Sequence, residues 1–405
     1  MYRLYRLSTR LLEKILSRKY PERFSPPGED GVEVWMHAAS VGESRVAAAI
    51  LEETLRLRPG LRVLLTLQTR SGLEQARKLL KSLPGIRIRL APWDGPGTIG
   101  AWLRKLSPRV LVLIETELWP NLLFEALSHG TPVLILNGRL SSRSFSRYRR
   151  LRPLFAPLLA RVSMAGVISE EDRERFLALG IPPERVRILG NAKHDLSFRR
   201  VEDLDPVPLV RRLGLRPGER LLVFGSMRRG EEEAVSRIIS GLISVPDLRF
   251  AVVPRHPERA PEFEKHLTAR GLAVSFFRNN HQLAGARIIV VDEIGPLFTL
   301  YALAEAAVVG GSFQPLGGQN PLEPAILGKP VLFGPHMENF PLESRILLSG
   351  GGARQVNSVE EALSVLFDWL HHPDKAREQG WKAFQCARKL RGASRRYAEL
   401  LLRFL

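Results

Sequence analysis

VVGGSFQPLGGQNPLEPAILGK, residues 308–329, is the stretch on which the reading of the whole chain turns. Its apolar start predicts a buried strand, its glycine pairs a turn, and its end a helix. Asn320 suits the cap of that helix, Pro321 its first position, and Glu323 the place from which a carboxylate reaches back. Gly310-Gly311 and Gly317-Gly318 let backbone N–H groups come close to a ligand. A helix N-terminus at that point favours an anion. A nucleotide-sugar pocket and a well-capped helix without a ligand both fit.

The same strand–turn–helix unit recurs on either side. Val32–Ala38, Arg62–Thr66, Ile86–Leu90, Arg109–Ile114, Pro132–Leu136, Met164–Ile168 and Val186–Leu189 read as strands separated by helices. RVLVLI (109–114) and PVLIL (132–136) are continuous apolar runs, as strands buried on both faces require. Val201–Leu209 (VEDLDPVPL) is acidic, proline-marked and without a period, and reads as a linker. Beyond it Arg220–Phe224, Arg249–Val253, Ala273–Phe276, Arg287–Val291, Ala306–Val309 and Pro330–Phe333 repeat the alternation, and the chain from about Val359 is helical. The expected fold class is α/β: two Rossmann-like domains with parallel sheets facing a central cleft, ligands binding beyond the carboxyl ends of the strands. The expected divisions are a basic amphipathic segment over 1–30, domains over 31–200 and 211–385, a linker over 201–210, and a closing helix over 386–405 that returns toward the first domain.

At 405 residues, 44% apolar and 25% charged, the chain has the length and composition of a globular two-domain protein. Its single cysteine, Cys386, excludes an internal disulfide and a cysteine-built metal site, and points to a reducing compartment. Lys+Arg number 60 against 42 Asp+Glu, and the net charge of +18 points to an anionic partner. Arg139–Arg152 (RLSSRSFSRYRRLR) gathers Arg139, Arg143 and Arg147 with further arginines around Phe145 and Tyr148. Near the N-terminus, Arg3, Arg6, Arg10 and Lys14 fall on one side of a helix and Leu4, Leu11, Leu12 and Ile15 on the other. That pattern fits an interfacial helix on anionic lipid, and equally a solvated basic helix packed on its domain. No apolar run reaches the roughly 18 residues of a membrane span. Charged residues interrupt the N-terminal stretch, against a signal peptide.

The groups that carry chemistry fall mostly at the carboxyl ends of predicted strands. HAASVGE (37–43) follows the first. Ser40 and Glu43 have the spacing of a capping box. Gly42, in the first helical turn, costs about 1 kcal/mol of helix propensity, which is explained if something approaches the backbone there. A carboxylate at the mouth of a cleft is a natural general base. Glu115 and Glu117 follow a buried strand, where two carboxylates are costly unless exposed, paired, or capping the helix that begins near Pro120. Lys193 follows Gly190-Asn191. Gly225 and Ser226 open a glycine turn ahead of Glu231-Glu232-Glu233, a weak phosphate-loop signal, since those acids suit the helix dipole without a ligand. Arg255 and His256 end another strand, where one can fork onto a phosphate and the other donate to it. There is no HExxH, no GxxxxGK[ST] and no His/Asp cluster at metal spacing, so neither metal nor cofactor is expected.

Taken together and in order, HAASVGE (37–43), ETELWPN (115–121), NGRLS (137–141), GN-K (190–193), VPRHPER (253–259), GGQNPLEPA (317–325) and GPHMENF (334–340) resemble the 3-deoxy-D-manno-octulosonic acid (Kdo) transferase family. The resemblance covers most of the chain from about Val34 to Phe340. It implies a GT-B glycosyltransferase: inverting, metal-independent transfer of Kdo from CMP-Kdo to a lipid A precursor in lipopolysaccharide core biosynthesis. The setting it implies is peripheral, at the cytoplasmic face of the bacterial inner membrane. By that resemblance Glu43 is the catalytic base, and Glu115 and Lys193 support the transition state. Arg255, His256, Ile294, Gly295, Asn320, Pro321, Leu322 and Glu323 contact the donor, with Gly225, Ser226, Gly311 and Ser312 on the same side. Ser40, Gly42, Arg139, Arg143 and Arg147 fall on the acceptor and membrane side. The first domain then takes the acceptor and the second the CMP-sugar. CMP-Kdo, a lipid A precursor and an anionic membrane surface are the expected partners; nucleic acid is not. Three donor-side positions depart from the family pattern: Arg228 and Gln319 stand where histidines are usual, and Pro296 where an acid is usual. The family's membrane-anchoring helix is replaced by the basic amphipathic segment. Two other readings use the same fold: a nucleotide-sugar epimerase or hydrolase without a lipid acceptor, and a non-catalytic basic membrane- or nucleic-acid-binding protein. The set Glu43, Glu115, Lys193 and Glu323 argues against the last.

Overall fold

A computed structural model describes residues 2–28, 31–279 and 283–405, and in it the alternation becomes two seven-stranded parallel sheets. The first holds β1 (Val34–Ala38), β2 (Val63–Leu67), β3 (Ile86–Leu90), β4 (Val110–Ile114), β5 (Val133–Gly138), β6 (Met164–Val167) and β7 (Val186–Ile188), in the order β3-β2-β1-β4-β5-β6-β7. The second holds β8 (Arg220–Met227), β9 (Leu248–Pro254), β10 (Ser275–Phe276), β11 (Ile288–Val290), β12 (Ala306–Val309), β13 (Val331–Phe333) and β14 (Ala353–Gln355), in the order β10-β11-β9-β8-β12-β13-β14. Every residue of β1, β2, β4 and β5 is buried, which is why these segments read as unbroken apolar runs. The strand order reverses between β1 and β4 and again between β8 and β12, and such switch points are where open α/β sheets bind ligands.

The chain divides into two compact units, Met1–Leu196 with Leu390–Leu405, and Ser197–Lys389. Two features differ from the sequence reading. The stretch read as a linker is partly helical: one helix runs Ala192–Glu202 and the next starts at Val207. Pro208 sits in the first turn of that second helix, where no N–H is needed, so a residue taken as a breaker is a helix opener. The edge strand β14 escaped notice because it is three residues long and two of them are exposed, leaving no apolar run to read.

The C-terminal helix Ala393–Leu402 belongs to the first unit for specific reasons. Tyr397 is fully buried, and its hydroxyl donates to the Gly190 carbonyl at 2.7 Å. Its ring packs so near Gly166 in β6 that a Cβ there would lie 2.7 Å from it. Asp195 accepts from the N–H groups of Gly392 at 2.6 Å and Ser394 at 2.7 Å, satisfying donors that the helix start leaves open. Asp195→Ala is therefore expected to lower unfolding free energy by about 1–2 kcal/mol, read by urea denaturation, and to speed amide exchange in residues 393–402 before other helices of the same unit.

Candidate active site

In the first unit the candidate groups converge at the ends of β1 and β4. The helix Val41–Leu57 starts there with Ser40 as its cap, and the Ser40 hydroxyl accepts from the Glu43 N–H at 3.4 Å. The Glu43 carboxylate turns back, accepting from the Ala39 N–H at 2.7 Å and the Ser40 hydroxyl at 3.0 Å. These bonds fix its position and leave lone pairs for a third donor. Burial raises its pKa to about 7, reinforced by the nearby charges of Glu117 and Glu115 and opposed by the Ala39 and Ser40 bonds. A carboxylate poised near neutrality is suited to taking a proton at working pH. A Cβ on Gly42 would meet only the Ser40 hydroxyl, at 3.8 Å, so packing within the protein does not demand a glycine there.

Glu115 follows β4 at φ 58°, in the left-handed region that costs a non-glycine residue energy. Its carboxylate lies 2.6 Å from the Lys193 ammonium. Lys193 stands in the first turn of its helix, where a cation opposes the dipole, so its charge is held there by its carboxylate partner. Asn137, one residue before the end of β5 at φ 57°, accepts from the Ala192 N–H at 2.9 Å and so fixes where that helix starts. Glu117 does not cap the helix Pro120–Ser128; it accepts from the Trp119 indole N–H at 2.8 Å. Asp94 does the capping, from the N–H groups of Asn121 at 3.2 Å and Leu122 at 2.8 Å. Burial lowers the His37 pKa to about 4, so His37 is neutral, with Nδ1 3.1 Å from the Thr66 hydroxyl and Nε2 3.9 Å from Glu117.

The N-terminal helix Tyr2–Leu16 packs with its polar side inward. Tyr5 donates to Asp94 at 2.8 Å, Asn121 to Thr9 at 2.8 Å, and Glu13 accepts from the Thr98 N–H at 2.7 Å. Leu4, Leu7, Leu11 and Ile15 are left 59–74% exposed. Leu4, Leu7 and Leu11 border an apolar groove of about 870 Å³ whose other wall includes Trp119, Tyr148 and Arg147. Arg139, Arg143 and Arg147 are all exposed, the last two on the helix Ser142–Arg150.

In the second unit the sequence reading needs correction. Gly311 and Ser312 are not free to cradle an anion. Their N–H groups donate to the wholly buried carboxylate of Glu231, at 2.7 and 3.0 Å, alongside those of Phe313 at 3.0 Å and Arg228 at 2.7 Å. Gly225 is a glycine because a Cβ would lie 1.8 Å from the buried Tyr301 hydroxyl, and Ser226 beside it is left-handed at φ 57°. The helix expected from Asn320 spans only Leu322–Ile326, with Pro321 at the cap position. Asn320, expected as the cap, lies one residue before that position, where its side chain accepts from the Leu322 N–H at 3.1 Å. Glu323 does not reach back; it pairs with Arg200 at 3.0 Å. Arg255 and His256 are exposed at the end of β9. Ile294 is 90% exposed beside Gly295, at φ 127°, in the turn after β11. Sequence reasoning passed over Asn137 as a site group, weighed Glu117 only as a paired, exposed or capping carboxylate, and read Glu231 only as part of a weak phosphate-loop signal. The signal was present in Glu231, a glutamate directly after a glycine turn, but the helix dipole explained it too easily.

Comparison with known proteins gives a consistent result. The sequence profile described as 3-deoxy-D-manno-octulosonic-acid transferase matches residues 17–196. A bifunctional glycosyltransferase/methyltransferase of Fusobacterium nucleatum is 30% identical over 359 residues, 88% of this chain, but the match spans only 55% of that protein. A 3-deoxy-D-manno-octulosonic acid transferase of Haemophilus influenzae is 30% identical over 376 residues, covering 92% of this chain and 87% of that one. A UDP-GlcNAc 2-epimerase from Neisseria meningitidis has the same fold, with a TM-score of 0.60 over 93% of this chain and 99% of that one, at 14% identity.

The raised pKa has a thermodynamic consequence. The folded state holds the Glu43 proton up to pH about 7, whereas the free carboxyl releases it at about 4.5. The unfolded chain thus binds fewer protons in that window, and stability falls as pH rises through it. Glu43→Gln is expected to remove that slope. Urea denaturation would find the variant gaining on the parent between pH 5 and pH 8.

Proposed function

The chain belongs to the 3-deoxy-D-manno-octulosonic acid transferase family of glycosyltransferases, and from that premise we propose that it transfers Kdo from CMP-Kdo to a lipid A precursor by an inverting, metal-independent displacement. The observation that carries this reading is Glu43, a carboxylate fixed by two hydrogen bonds and poised near pH 7 at a strand end. In the reaction an acceptor hydroxyl gives its proton to Glu43 as its oxygen attacks the anomeric carbon of Kdo. The bond from that carbon to the phosphate oxygen breaks with its electron pair, and CMP leaves. Lys193, oriented by Glu115, offers a positive charge in the first unit. On the donor side Arg255 and Arg228 are cations suited to the CMP phosphate, and the Ile294-Gly295 turn and Asn320–Glu323 are assigned to the nucleoside in this reading. Gly225, Ser226, Gly311 and Ser312 serve as scaffold rather than as direct donors to the phosphate.

The membrane part of the proposal rests on the outward leucines of the N-terminal helix and the exposed arginines of residues 139–152, which suit an anionic bilayer at the cytoplasmic face of the inner membrane. Among the described residues no helix is long and apolar enough to cross a membrane.

Incubation with freshly made CMP-Kdo and a tetra-acylated lipid A precursor in EDTA is expected to give Kdo-lipid, with inverted configuration at the transferred anomeric carbon. Glu43→Ala is expected to lower the rate by a factor on the order of 10²–10⁴. Transfer that requires added divalent metal, or that survives the substitution, contradicts the mechanism. For the membrane arm, sedimentation with anionic vesicles is expected to lose most bound protein when Leu4, Leu7 and Leu11 are replaced by Ser. High salt is expected to weaken binding of the parent protein.

A further inference from the structure

The glycine-rich turn of the second unit is filled by the protein's own carboxylate. Glu231 ties the segment after β8, through the Arg228 N–H, to the segment after β12, through those of Gly311, Ser312 and Phe313. These strands are neighbours in the sheet. The network continues outward. The Ser312 hydroxyl accepts from the Gly334 N–H at 2.8 Å, and the Ser312 carbonyl from the His336 N–H at 3.1 Å, reaching the segment after β13. The Gly311 carbonyl accepts from the Gly318 N–H at 2.7 Å, and that of Gly317 from the Asn339 N–H at 2.9 Å. GGQN and GPHMENF are thus joined to each other and rest on Glu231. Arg228, Arg229 and Arg255, at the ends of β8 and β9, make no ion pair among the described residues.

We propose that Glu231 is the positioning residue of the nucleotide-sugar site: it sets the segments after β8 and β12 before any ligand arrives, and by taking up their N–H groups it steers the donor phosphate onto arginine side chains. This rests on the reading of the second unit as the CMP-sugar unit. The physical reason is a substitution of one anion for another. Four convergent N–H groups would otherwise be an anion site in themselves, and a buried carboxylate that satisfies all four is held by charge-assisted bonds. The amide of Glu231→Gln presents an NH₂ where an acceptor is needed, so N–H groups in the nest lose their partner.

Calorimetry of CMP binding to the full-length chain tests this. Glu231→Gln is expected to raise the Kd for CMP on the order of tenfold or more, with acceptor-lipid binding unchanged. Glu231→Ala opens the nest, and formate is expected to restore CMP affinity where the neutral isostere formamide does not. Equal CMP affinity in parent and Gln variant overturns the proposal, as does a parallel loss of acceptor binding, which marks general damage. If both variants fail to fold, amide exchange of the parent decides. Protection of Gly311, Ser312 and Phe313 without ligand supports positioning, and free exchange until CMP is added overturns it. A parent protein with no CMP affinity counts against the donor reading, and the same amide exchange then still decides whether the segments are preset.

Discussion

Burial of the central strands on both faces leaves their ends as the places where these sheets meet water with polar side chains. Every residue of β1 and β4 is buried, so Glu115 sits directly past β4 and Glu43 in the first turn of the helix that follows β1. The same constraint accounts for the backbone there. Glu115, directly after β4, and Asn137 and Ser226, at irregularities within the last residues of β5 and β8, adopt the left-handed region without being glycine. Strain of that kind persists where surrounding contacts over-determine the conformation. The Glu115–Lys193 pair and the Asn137–Ala192 bond are such contacts.

The two units solve the placement of charge in opposite ways. In the first, three carboxylates crowd together, and burial with mutual repulsion keeps Glu43 protonated up to about neutrality. In the second, the carboxylate is taken out of circulation. Glu231 accepts from four backbone N–H groups, and its neighbour Glu232 pairs with Arg259 at 2.6 Å. The acidic helix start is therefore internally neutralised, while Arg228, Arg229 and Arg255 keep their charge for an outside anion.

Much of this was legible in the sequence because it follows from local patterns. RVLVLI and PVLIL can hardly be anything but doubly buried strands, and Ser40 with Glu43 declares a capped helix start. What escaped depended on partners distant in sequence. Glu323 has capping-box spacing, but Arg200, 123 residues away, takes its carboxylate. Glu117 looked like a cap for the helix at Pro120 until Asp94 proved to hold those N–H groups. Glu231 meets Gly311 at a separation of 80 residues, and spacing along the chain carries no sign of such a contact. The N-terminal helix left two readings open in the sequence, an interfacial helix on anionic lipid and a basic helix packed on its domain; Tyr5, Thr9 and Glu13 make its contacts and the leucines face out.

Base catalysis by Glu43 is tested most directly by the pH dependence of kcat/KM for Kdo transfer, measured for the parent chain and for Glu117→Gln. Deprotonation of Glu43 as the essential event predicts an acid limb at about pH 7 that moves to lower pH when the neighbouring Glu117 charge is removed. An acid limb near the ordinary carboxyl value of 4.5, or one at 7 that the substitution leaves in place, would contradict it.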